Sequence, residues 1–196
     1  MAVPAQRSAG RRLALSASAM VVVLIFGIAG YLGWQRLNPG RGEFPGLSAG
    51  LSARQKSILA VARTEWQTPG APTRYSQGVE EEWCADFVSW VVRKAGYPMS
   101  NPNSGSWRIP GVLTLQSYLT TTGRFHPVGD GYRPQPADIV IYDGGSWGQH
   151  TNLVVSTRGN RITTVGGNQN AGIGIQTISV RESDLNATGV IGYGAA

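Results

Sequence analysis

Three textures of apolar and polar positions follow one another along the chain. From Leu13 to Trp34 no charge interrupts the run LALSASAMVVVLIFGIAGYLGW. As a helix it reaches roughly 33 Å, enough for a hydrocarbon core of ~30 Å. Arg7, Arg11 and Arg12 precede it, and Tyr31 and Trp34 close it. That is the charge bias and aromatic belt of a membrane span. A cleaved secretory signal would have a shorter apolar core and a small-x-small site, which Ala29-Gly30-Tyr31-Leu32-Gly33 supplies poorly. The sequence therefore predicts a basic N-terminus at 1–12, an uncleaved transmembrane signal anchor at 13–34, a Gly- and Pro-rich linker at 35–50, and one domain at 51–196. The anchor places that domain outside the cytoplasm, or leaves it secreted if the segment is cleaved.

Within the domain, helical periodicity comes first and strand texture after. Ser52-Ala53-Arg54-Gln55 has the form of a capping box and opens a helix to about Trp66. Cys84, Phe87, Val88 and Val91 share one face of a second helix, Trp83 to Lys94, which Gly96 and Pro98 stop. A shorter helix is expected over Val112 to Thr120. Beyond Pro134, β-branched runs at 138–142, 151–156, 161–165, 174–180 and 190–193 alternate with Gly, Asp and Asn turns. Helices first and strands at hairpin spacing after predict an α+β fold with an antiparallel sheet.

Composition narrows the chemistry. A single cysteine excludes an intrachain disulfide framework and a Cys-rich zinc site, and two histidines make a zinc constellation hard to assemble. The net charge of +6 invites a nucleic-acid reading. Its distribution does not sustain one. Residues 1–42 hold five arginines and no acid, while the rest holds twelve basic and eleven acidic residues. The charge belongs to the anchor and its flanks, and no basic stripe with interleaved aromatics follows.

Cys84 is expected at a helix start, where unpaired N–H groups and the helix dipole favour a thiolate and lower its pKa. A nucleophile needs a base, and only His126 and His150 exist. His150 opens a strand, which can hold an imidazole rigidly against a helix start, so it is the preferred base. Asn168, after Val165-Gly166-Gly167, is the candidate to orient it if the two strands form a hairpin. Trp83, Trp107 and Gln149 flank the expected groove as substrate-binding candidates, and Asp86 reads as a helix-start acid.

The set Trp83-Cys84-Ala85-Asp86-Phe87-Val88, Pro136-Ala137-Asp138, Gly148-Gln149-His150 and Val165-Gly166-Gly167-Asn168 resembles the CHAP family, the cysteine, histidine-dependent amidohydrolases/peptidases. The resemblance covers about residues 52–194 and implies a papain-like fold. It also implies a Cys84–His150–Asn168 site and acyl transfer; some members carry an acidic calcium loop, which this sequence lacks, so no metal or cofactor is expected. The substrate expected is peptidoglycan of a bacterial cell wall, cut at N-acetylmuramoyl-L-alanine or at stem or cross-bridge peptide bonds, with the domain held at the cell membrane. Three positions depart from the family pattern. Ala137 stands for a frequent Gly, Thr151-Asn152 for a small apolar pair, and Gly166 for a frequent Glu, which leaves Asn168 as the orienting candidate. The competing expectation is a non-catalytic module of the same fold that recruits a partner at the envelope.

Overall fold

A computed structural model of the chain describes residues 44–146, 148–170 and 172–196. The chain divides into two units at residue 40, and only the second contains described residues. The expected basic N-terminus and anchor lie outside them. Among the described residues no helix is long and apolar enough to cross a membrane.

Helix α1 (Ala53–Gln67) starts at the expected capping box, with Ser52 Oγ accepting from Gln55 N–H and Gln55 Oε1 accepting from Ser52 N–H. Its Ile58, Leu59 and Ala62 are buried. A short helix α2 (Pro72–Tyr75) follows, in a segment whose prolines and glycines read as loop. Helix α3 (Cys84–Lys94) carries the expected apolar face, and Gly96 at φ +94° turns the chain so that Tyr97 N–H closes on Val92 O. Helix α4 (Val112–Thr121) matches its expected place.

The sheet has six strands in the order β1-β6-β2-β3-β4-β5, every neighbouring pair antiparallel. They are β1 (Phe125–Pro127), β2 (Ile139–Tyr142), β3 (His150–Arg158), β4 (Arg161–Gln169), β5 (Gly172–Ser179) and β6 (Val190–Gly194). Side chains alternate between two cores, as the strand period requires. Ile139, Ile141, Leu153, Val155 and Val165 join Phe87, Val88 and Leu115 of the helices. Val140, Tyr142, Val154, Ile162 and Tyr193 form the second core with Leu185 of α5 (Glu182–Thr188). Both β3 and β4 are longer than their β-branched runs, because pairing carries the backbone past them into His150 and into Gly166-Gly167-Asn168.

Part of the expected linker is packed. Phe44 is buried against Trp66 at 5.8 Å between ring centroids, beneath the Arg63 guanidinium, which also donates to Pro45 O. An aromatic side chain that buries this much surface outweighs the glycines and prolines beside it. At the start of β2, Ala137 sits at φ +74°, a left-handed conformation that an alanine adopts at a cost of about 1 kcal/mol. That accounts for a glycine preference at this position. Buried Asp138 next to it accepts from Gln135 N–H, Tyr132 O–H and Ala196 N–H, tying the loop at 132–135 and residue 196 to the strand.

Candidate active site

Cys84 is the first residue of α3, with Trp83 as its N-cap. The start of α3 rests on β4 because residue 167 is glycine. A β-carbon there would lie 2.6 Å from Phe87 Cβ and collide with the Trp83 ring. Trp83 is in turn stacked on Tyr75 at 5.2 Å and set edge-on to Phe87. This docking sets the thiol beside the N–H of Thr151, the residue after His150.

The electrostatics differ from the expected thiolate. Burial pushes the Cys84 thiol up, while the N–H groups of Thr151, Ala85 and Cys84 itself pull it down and the Glu82 charge adds to the rise. Desolvation outweighs the helix start, since the side chain is only 5% exposed. Burial also pushes the His150 imidazole down to about 4, against Asn152 and the Glu82 charge, which both favour the protonated ring. At neutral pH the resting site thus holds a thiol and an uncharged imidazole.

The structure brings His150, Asn152 and Gln169 together. His150 Nε2 lies 3.0 Å from Asn152 Oδ1, and Gln169 Nε2 donates to the same oxygen at 2.8 Å. Asn168 stands elsewhere than expected. Its amide donates to the Glu82 carboxylate, and its backbone is left-handed at φ +57°. The left-handed residue breaks the strand alternation, so Asn168 turns to the loop before α3 and Gln169 is the one directed to the ring. His126 is on β1, three strands removed from β3, stacked on Tyr132 at 3.8 Å and paired with Asp130.

The groove candidates separate. Trp83 is buried in the core, where its ring packs on Tyr75 and Phe87. Trp107 is half-buried beneath the Arg93 guanidinium, and Gln149 is exposed next to His150. Asp86 is more than a helix-start acid. It is fully buried and accepts from Arg108 Nε at 2.7 Å, while Arg108 also reaches Glu81. Burial pushes the Asp86 carboxyl up to about 7, and the Arg108 guanidinium is the counter-charge that favours its ionised form. The pair clamps the loop after α3 to the turn that carries Cys84. The sequence signal for it was an acid on the buried side of α3 and an arginine beyond the loop.

A cysteine opening a helix, set against the strand that a histidine opens on an antiparallel sheet, gives an α+β fold with a candidate cysteine–histidine site. Residues 74–168 match the family model of the CHAP domain. The curated proteins contain no match. Among solved structures, the chain is similar to the crystal structure of Ly7917 and to that of Ly7917 with the hydrolyzing product of MDP. Each is 16% identical, with 71% of this chain and 61% of that chain covered, at TM-scores of 0.46 and 0.42. The chain thus spans about three-fifths of the length of those proteins.

Proposed function

We propose that this domain is a peptidoglycan hydrolase that cuts amide bonds by acyl transfer, with Cys84 as nucleophile and His150 as base. The observation that carries the reading is the docking of the Cys84 thiol on the backbone next to His150, within a matched CHAP domain. The two groups start neutral, so attack is base-assisted. As Sγ bonds to the carbonyl carbon, the thiol proton passes to the imidazole, and the pair becomes charged only as the oxyanion forms. In this reading the Cys84 N–H, at the first position of α3, holds that oxyanion. The imidazolium then protonates the leaving amine, the carbon–nitrogen bond breaks, and a thioester remains. Water, deprotonated by His150, attacks the thioester and releases the acid and free thiol.

In this reading the apolar segment 13–34 anchors the chain in a bacterial membrane and delivers the domain to the wall outside. The bond cut is N-acetylmuramoyl-L-alanine or a peptide bond of the stem or cross-bridge. The test is digestion of purified cell wall by the full chain, with mass spectrometry of the released fragments. New amino termini on stem peptides are expected, and they identify the bond. Cys84→Ala should abolish release, His150→Ala should abolish it too, and His126→Ala should leave it unchanged. Release that survives Cys84→Ala overturns the assignment. An intact wall with wild-type chain favours a binding module.

A further inference from the structure

Behind His150 lies a slot on the sheet that two glycines open and two amides fill. Gly166 on β4 pairs with Gly174 on β5. Neither has a positive φ, so neither is glycine for its backbone. Room is the reason. A β-carbon on Gly166 would collide with Asn152 Oδ1 and lie 2.7 Å from its Cγ. A β-carbon on Gly174 would lie 3.0 Å from Gln169 Cβ and collide with its Oε1.

Asn152 sits in this slot with its carbonyl oxygen towards the ring. It is fully buried, its Nδ2 donates to Thr164 Oγ1 at 3.2 Å, and its Oδ1 receives the Gln169 amide. With the Asn152 oxygen 3.0 Å from His150 Nε2 as acceptor, the ring proton sits on that nitrogen. The neutral ring is then the Nε2–H tautomer, and its basic nitrogen is Nδ1. The Gln169 nitrogen, 3.1 Å from the same ring atom, packs against it while donating to Asn152.

We infer that Asn152, two residues along the strand from His150 itself, is the positioning residue that fixes the His150 tautomer, in space that Gly166 leaves to it. The inference rests on the acyl-transfer reading, in which Nδ1 takes the Cys84 proton. It turns two departures from the family pattern, Asn152 and Gly166, into a single exchange. The polar side chain has crossed from one strand to its neighbour.

The test uses the full chain, whose one cysteine and two histidines make both readouts specific. Iodoacetamide alkylation reports Cys84, and nitrogen NMR of labelled histidine reports His150 against a His126→Ala reference. Wild type should show the Nε2–H tautomer. Asn152→Ala should mix the tautomers and slow alkylation near neutral pH by at least ~10-fold, below the ~10²–10⁴ that a positioned base supplies. Asn152→Asp keeps an acceptor oxygen and should retain the tautomer. Gly166→Asn alone should be damaging. The double variant Asn152→Ala/Gly166→Asn should regain reactivity, because the new side chain enters the vacated slot. If Asn152→Ala fails to fold, the aspartate and double variants decide. An unchanged tautomer and alkylation profile in folded Asn152→Ala overturns the inference, as does a double variant no better than Asn152→Ala. Neither readout needs substrate, so failure to cut cell wall is a separate result that touches only the hydrolase reading.

Discussion

A neutral imidazole stored inside the fold makes stability depend on pH, and one substitution removes that dependence. His150 is 5% exposed, and burial takes it down to about 4, from about 6.5 in an unfolded chain. Between those values the unfolded chain binds a proton that the folded one refuses. The contribution is complete above pH ~6.5 and is lost as the pH falls through ~4. At ~1.4 kcal/mol per pH unit the loss is about 3 kcal/mol. Burial raises Asp86 and Asp138, which act in the opposite sense. Their folded forms take up protons first and gain stability as pH falls. The wild-type curve alone therefore mixes opposed effects, and the difference from His150→Gln isolates the imidazole. Urea unfolding of both chains, followed by tryptophan fluorescence from pH 7.5 to 4, gives that difference. Wild type should lose about 3 kcal/mol relative to the variant, a midpoint change of about 1.5–2 M for a slope of roughly 1.5–2 kcal/mol per molar. A difference that stays constant within ~0.5 kcal/mol would refute the desolvation argument.

Glu82→Gln keeps an oxygen for the Asn168 amide but removes the charge that pushes Cys84 and His150 up together, so alkylation of Cys84 should shift to lower pH. Arg108→Met removes the counter-charge of the buried Asp86 carboxyl; because burial already holds that carboxyl at about 7, the variant takes up a proton, and a pH-dependent loss of about 1 kcal/mol at pH 7.5 is expected, vanishing towards pH 5. Thermal melting at the two pH values measures it, and a loss independent of pH would place the effect in packing. Gly167→Ala puts a methyl between β4 and the start of α3. It should destabilise by about 1–3 kcal/mol and slow Cys84 alkylation, read by melting and by the labelling rate.

What the sequence made legible was periodic. The apolar face of α3, the Ser52 capping box and the β-branched hairpins follow local spacing, and the structure places all of them as expected. Cys84 at a helix start and His150 at a strand start follow from the same spacing. The missed elements lacked it. Strand β1 is three residues with a proline, made a strand by pairing with β6. Helix α5 carried signals that were there to read, with Glu182 and Asp184 in its first turn and left-handed Gly189 at its end. The third member of the site depended on register, which local pattern does not contain. That Asn152 shares a strand face with His150 is a matter of alternation. That its oxygen needs a glycine at 166 is a matter of which residues two strands set side by side. The direction of the Cys84 shift was equally invisible, because burial is decided by everything that packs around α3.

The junction between α3 and the sheet also governs when the site comes into being. Glu82 and Asn168 close a loop of 86 residues, and the thiol and imidazole flank that closure. Closing so long a loop costs conformational entropy that local contacts do not. A partly folded chain in which this closure is open holds a cysteine and a histidine that have not met. In the proposed reading, the two groups that carry the chemistry meet only across that long-range closure.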